Sequence, residues 1–179
     1  MLLEVIIAQA FWIIGPAYAA NAFPPLASGK RPLDGGKLLR SKRILGDGKT
    51  LEGTTAGILF GLFYGALQMI VQPYIPLSAD GKALGLITIT PLLVILLVSG
   101  AILGDLIGSF IKRRFNMKRG ASAPGMDQLG FVIVALLLVS TAAAINIYVW
   151  ITLIILTPII HWIANLIGYY FMKVKQTPW

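Results

Sequence analysis

Asp105, Ser109 and Lys112 stand at i, i+4 and i+7 in a long apolar run, so a helix there would carry all three on one face. Asp105 lies about two helical turns before Lys112. A carboxylate at that depth in a membrane is costly, which makes it a functional candidate by default. The plainer reading is a charge that only pairs with Lys112 or with another helix. Asp127 follows Pro124-Gly125 at the start of the next apolar run. An ordinary acid at a helix N-terminus would also be favoured there by the helix dipole. Yet the two carboxylates flank one short loop and return to the same membrane face. With phosphate oxygens they can hold Mg²⁺, a hard cation that prefers oxygen ligands. Lys112, Arg113, Arg114, Lys118 and Arg119 between them suit an anionic, phosphate-rich substrate.

A second segment with chemical promise runs Arg43-Ile44-Leu45-Gly46-Asp47-Gly48-Lys49-Thr50-Leu51-Glu52-Gly53. It imitates a nucleotide-binding P-loop, but Arg43 occupies the place of that motif's first glycine and no strand precedes it, which excludes the motif. A glycine-rich turn entering a helix can still offer backbone N–H groups to a phosphate. Thr50 reads as the N-cap and Glu52 as an acid of the first turn, and both roles are compatible with phosphate binding. Further along, His161, Asn165, Gly168 and Tyr169 share a helix face. They are either packed, hydrogen-bonded residues or contacts to a lipid headgroup or phosphate.

The elements that must position these residues are membrane spans. The chain of 179 residues is 57% hydrophobic and only 12% charged, with a mean hydropathy of +0.82. Soluble domains carry about twice that share of charge. Spans are expected at about 2–20 (interrupted at Gly15-Pro16), 51–71, 84–111 (kinked at Pro91), 129–145 and 148–172. The fold class is therefore an all-α membrane protein, a bundle of five transmembrane helices in one integral-membrane domain over 1–179. Its first basic loop holds Lys30, Arg31, Lys37, Arg40, Lys42, Arg43 and Lys49. The second holds Lys112 to Arg119, and the tail Lys173 and Lys175. The bias of basic residues towards the cytoplasm puts both loops and the tail on that side, with the N-terminus outside and the C-terminus cytoplasmic. Of all Lys and Arg residues, Lys82 alone then lies outside. Trp150, Tyr169, Tyr170 and Trp179 read as interfacial anchors. Glycines recur every four residues at Gly53, Gly57, Gly61 and Gly65, and again at Gly100, Gly104 and Gly108. That spacing lets helix backbones approach closely, within one chain or across a homodimer.

Two segments resemble membrane phosphatidate cytidylyltransferases, the CDP-diacylglycerol synthases. Ser109-Phe110-Ile111-Lys112-Arg113 followed by Lys118 is similar to their Ser-x-x-Lys-Arg-x₄-Lys-Asp signature, with Arg119 in place of the final Asp. Lys49-Thr50-Leu51-Glu52-Gly53 is similar to their Lys-Thr-x-Glu-Gly segment. The short chain looks more like the archaeal branch, the CDP-archaeol synthases. Pro32-Leu33-Asp34-Gly35-Gly36, Leu45-Gly46-Asp47-Gly48-Lys49-Thr50, Gly104-Asp105, His161-x-x-x-Asn165 and Pro178-Trp179 carry that likeness along nearly the whole chain. Asp127 is similar to the first aspartate of the downstream pair, whose second place is taken by Gly130.

The resemblance implies CMP transfer from CTP to an ether-lipid phosphate, a bis-geranylgeranyl glycerol phosphate, with release of pyrophosphate. It implies Mg²⁺ on Asp105 and Asp127, and phosphate contacts from the catalytic Lys112. Arg43, Lys49, Thr50 and Glu52 fall to the nucleotide. Ser109, Arg113, Lys118, His161 and Asn165 fall to the lipid phosphate. The glycine-packed helices would frame a lateral groove for lipid chains. Other classes fit less well. A transporter needs a polar path through the bilayer, which the spans supply poorly beyond Asp105, His161 and Asn165. A structural subunit gripping anionic lipids leaves Asp105 unexplained. Nucleic-acid binding finds little aromatic stacking surface in the basic loops, only Phe115 in the second. The absence of cysteine excludes a thiolate nucleophile or metal site.

Overall fold

A computed structural model describes residues 3–27, 29–75, 86–117, 121 and 123–170. Five α-helices carry the described chain: α1 (Leu3–Ala22), α2 (Leu51–Val71), α3 (Pro91–Arg114), α4 (Met126–Val139) and α5 (Ile147–Tyr170). Among the described residues, β structure is confined to the first basic loop: a hairpin of two-residue strands, β1 (Leu38–Leu39) and β2 (Lys42–Arg43), and a bridge between Pro32 and Thr50. Leu38 pairs with Arg43 and Leu39 with Lys42. Its two-residue turn uses Arg40 and Ser41, both at positive φ, the backbone that matches strand twist in such tight turns.

Two prolines behave differently from expectation. Gly15-Pro16 does not interrupt α1, which runs through both residues. Gly15 leaves room there for the Tyr64 ring of α2, which a Cβ would strike. Nor does Pro91 kink α3; it stands in the first turn, and the Thr90 hydroxyl caps it by accepting from the Leu93 N–H at 3.3 Å. Proline lacks only an N–H that is unpaired at this position anyway, and its fixed φ suits a helix start. The residues before it run extended. Gln72 pairs with both the N–H and the carbonyl of Ile89 (2.8 and 3.1 Å), and the Trp12 indole donates to the Ile87 carbonyl (3.0 Å).

The core lies among α1, α3 and α4, where Ile13, Ile14, Leu97, Val132, Leu136 and Val139 are buried. Glycine sets how closely these helices meet. On α2, Gly57, Gly61 and Gly65 lie against Ala20 and Pro16 of α1 and Val94 and Val98 of α3. On α3, Gly100 and Gly104 lie against the α4 backbone at Ala135 and at Gly130–Phe131. So both glycine stripes are filled within one chain, and the α3 stripe faces α4 instead of α2. The outer flanks of α2 and α5 expose Leu59, Phe63, Ile70, Ile155 and Trp162, as lipid-facing surfaces do. Four helices are long and apolar enough to cross a membrane, while α4, at 14 residues, is shorter. It begins before and ends before the expected 129–145, because Gln128 Oε1 accepts from the Gly125 N–H at its start and a turn at Ser140–Thr141 closes it. The protein is thus an all-helical, multi-pass membrane protein.

Candidate active site

The first basic loop folds back onto the end of α3. Arg114, in the last turn of α3, donates to the carbonyls of Leu39, Lys42 and Arg43 (2.7, 3.2 and 2.5 Å). Lys42 Nζ returns a bond to the Arg114 carbonyl at 2.9 Å. C-terminal carbonyls of a helix have no intrahelical partner, so a lysine there is favourable. These bonds hold the first basic loop against the C-terminal end of α3, where the second basic segment begins.

The same docking brings Lys49 to Asp105. Its Nζ lies 2.5 Å from Asp105 Oδ2, and the side chains are 26% and 35% exposed. Lys112, seven residues after Asp105, instead holds Asp127 Oδ1 at 2.6 Å. The other Asp127 oxygen accepts from the Ala123 N–H at 2.9 Å. So Asp105 pairs, but with a lysine of the first loop and not with Lys112. The contacts of Gly100, Gly104 and Gly108 run down α3 as those of Ala135, Gly130 and Met126 run up α4. This antiparallel register sets Asp105 and Asp127 within about one helical turn of each other along the axes.

The remaining sequence-predicted residues are distributed as follows. Arg43 spreads its guanidinium between Asp34 Oδ1 (2.7 Å) and Asp47 Oδ1 (2.5 Å). Thr50 caps α2, its hydroxyl accepting from the Gly53 N–H at 3.1 Å. Glu52 pairs with Arg31 at 2.7 Å and so ties the front of the loop to α2. Ser109 is buried, at 4% exposure. Arg113 lies over Gly46, which joins it to the first loop. Lys118 falls outside the described residues, as do Arg119, Lys82, Lys173, Lys175 and Trp179.

His161 and Asn165 are hydrogen-bonded to each other at 3.2 Å on α5. Both line a mostly apolar cavity of about 400 Å³, together with Tyr18, Phe23, Phe131 and Thr157. The Tyr18 hydroxyl and Thr157 Oγ1 are bonded across it at 2.7 Å. Leu26 and Ile167 also line it, and both are about half exposed (42% and 45%), so it opens on the flank of the bundle. Phe131 touches the backbone level of Gly104, next to Asp105. The groove expected between the glycine-packed helices is therefore walled by α1, α4 and α5. Glycine contacts close the space between helices, so an opening forms where bulkier residues hold helices apart.

Comparison with known proteins decides the family. Residues 2–179 match the family described as CarS-like CDP-archaeol synthase. The chain belongs to the CDP-archaeol synthase family. It is 44% identical over 171 residues to the CDP-archaeol synthase of Thermococcus onnurineus, covering 95% of each chain. It is 43% identical to that of Pyrococcus furiosus, covering 97% of this chain and 98% of the relative. A solved structure described as an intramembrane enzyme for archaeal membrane lipids biosynthesis is 34% identical, with a TM-score of 0.73. It covers 89% of this chain and 94% of its own.

A CDP-archaeol synthase implies a divalent cation, and the donor set here suits Mg²⁺. Among the described residues no three His, Asp or Glu side chains form a group. Mg²⁺ does not need one, since it is commonly held by one or two carboxylates plus substrate phosphates. Asp105 and Asp127 are partly exposed, on adjacent helices, and each is paired with a lysine ammonium.

Sequence reasoning missed two residues that build the site. Arg114 was counted only as charge, although its place at a helix end signals a carbonyl-binding role. Asp34 appeared only within a motif, although Asp-Gly-Gly marks an Asx turn. It is the carboxylate around which the first loop folds.

Proposed function

We propose that the chain transfers CMP from CTP to the phosphate of an unsaturated archaeal ether lipid, 2,3-bis-O-geranylgeranyl-sn-glycerol 1-phosphate, giving a CDP-lipid and pyrophosphate. One observation carries this reading beyond family membership. The Lys49–Asp105 pair joins a loop suited to phosphates to a membrane carboxylate, beside an apolar cavity open to the bilayer.

In this reading an oxygen of the lipid phosphate attacks the α-phosphorus of CTP. The bond to the bridging oxygen of the β-phosphate breaks, and pyrophosphate leaves with that electron pair. Lys49 and the N-terminal turn of α2 at Thr50 bind the nucleotide phosphates, where ammonium and backbone N–H groups oppose charge that grows in the transition state. Arg43 braces the loop through Asp34 and Asp47. Lys112 and Arg113 serve the phosphates from the α3 side, with Lys118 beyond them. Ser109, buried on the same helix, fixes the register of that face. Mg²⁺ held by Asp105 and Asp127 would neutralise phosphate oxygens as a Lewis acid. The cavity takes the lipid's first chain segments, and His161 and Asn165 face its polar end.

The proposed topology has five crossings, the N-terminus outside and the active site at the cytoplasmic face of the cell membrane. The 14-residue α4, about 21 Å long, crosses with help from the turn that follows it. Both glycine stripes are occupied within one chain, which removes the sequence argument for a homodimer.

The test is reconstitution of purified protein with CTP, Mg²⁺ and the lipid phosphate. Formation of CDP-lipid and pyrophosphate is expected, with Asp105→Asn losing at least ~100-fold in turnover while keeping its helical content. Full turnover by that variant would remove the metal role from Asp105.

A further inference from the structure

Asp34 lies outside the ion pairs of the active site, yet it collects more hydrogen bonds than any other described carboxylate. Its side chain is 2% exposed. Oδ1 accepts from Arg43 Nη2 at 2.7 Å and from the Gly36 N–H at 3.0 Å. Oδ2 accepts from the Leu45 N–H at 2.9 Å and the Gly46 N–H at 3.2 Å. A buried charge is tolerated only when it is paired and hydrogen-bonded, and here every donor comes from the first loop.

The consequence reaches Lys49 through the backbone. Gly46 sits at φ +85, with Arg113 across it. Its carbonyl accepts from the Lys49 N–H at 3.3 Å. On the other side, Leu33, the neighbour of Asp34, donates to the Lys49 carbonyl at 2.7 Å. The carbonyl of Arg31, two residues earlier, accepts from the Leu51 N–H at 2.9 Å. Lys49 is thus held between a turn that Asp34 fixes with its side chain and a segment that contains Asp34 itself.

We infer that Asp34 is a positioning residue for the nucleotide: it contacts only the loop, and through Gly46 and Leu33 it sets the reach of Lys49 and Thr50 towards the triphosphate. This rests on the proposal that the Lys49 loop holds CTP. Its signature is selective, because the lipid cavity among α1, α4 and α5 shares no residue with the Asp34 network.

The experiment is steady-state kinetics in lipid bicelles for Asp34→Ala, Asp34→Asn and the double variant Asp34→Asn/Arg43→Gln, with thermal unfolding followed by circular dichroism. Asp34→Ala and Asp34→Asn should raise KM for CTP at least tenfold. KM for the lipid should stay within about twofold and the helical content should be retained. Asn keeps acceptor oxygen but leaves Arg43 with Asp47 as its remaining counter-charge. The double variant also removes the Arg43–Asp47 brace, and because both substitutions act on one network it should raise KM for CTP by less than the product of the two single effects, with Arg43→Gln measured beside it. An unchanged KM for CTP in Asp34→Asn overturns the inference. So does a fall of kcat with a parallel rise of both KM values and a loss of helical content. Lys49→Met separates the two levels. If it leaves KM for CTP untouched, the assignment of this loop to the nucleotide fails, whatever Asp34 does.

Discussion

Lys49 and Lys112 each hold a carboxylate that the proposed chemistry gives to a metal. An ammonium and a divalent cation compete for the same oxygens, so these lysines should keep the empty site closed to metal alone. Removing the charge in Lys49→Met should tighten Mn²⁺ binding without nucleotide by about tenfold, equivalent to ~1.4 kcal/mol. Electron paramagnetic resonance of free and bound Mn²⁺ measures this, and unchanged binding would show that the lysine does not guard Asp105. At Asp34, burial opposes the charge, but bonds from Arg43, Leu45, Gly46 and Gly36 outweigh it and hold the carboxyl well below the usual carboxylate range. The native state therefore favours the ionised form. Its contribution is complete above the ordinary carboxylate pKa of about 4 and declines only as pH falls towards the lower native value. Hydrogen exchange at Leu45 and Gly46, corrected for intrinsic rates, should show equal protection at pH 7 and pH 5. Loss of protection by pH 5 would contradict the Asp34 network.

At the scale of elements, α3 and α4 act as one unit because Gly104 has no side chain. A Cβ there would meet the backbone of Gly130 and Phe131, whereas at Gly108 it would find only Met126 Cγ at 3.7 Å. Gly104→Ala should therefore cost about 1–3 kcal/mol and shift Asp105. Gly108→Ala should change stability by less than about 0.5 kcal/mol. Unfolding in mixed micelles distinguishes them, and equal effects would mean that the helices repack freely. The glycine periodicity was legible in the sequence, as were Thr50 as a cap and the shared face of His161 and Asn165. Which helix each stripe meets was not, because spacing defines a face without naming its neighbour. Pro91 shows the same limit: extended residues before it make it a helix start, and that depends on Gln72 reaching Ile89 from another helix. The partners of Asp105 and Lys112 were hidden for a related reason. Lys49 is 56 residues from Asp105, and only the docking by Arg114 brings the two together.

For the whole molecule, the proposed topology makes a labelling prediction. The chain has no cysteine, so single cysteines report on a blank background. Cysteine at Ser41 or Asn116 should react with a membrane-impermeant maleimide only from the cytoplasmic side of oriented vesicles, and cysteine at Tyr74 or Asn146 only from the other. Reaction of Ser41 and Asn116 from opposite sides would break both the topology and the site. The cavity opening past Leu26 and Ile167 has one more effect. A substrate entering there arrives by diffusion in two dimensions, so its effective concentration is a mole fraction of the surrounding amphiphile. Adding inert detergent at constant bulk lipid should slow the reaction by surface dilution, while the dependence on water-borne CTP stays fixed.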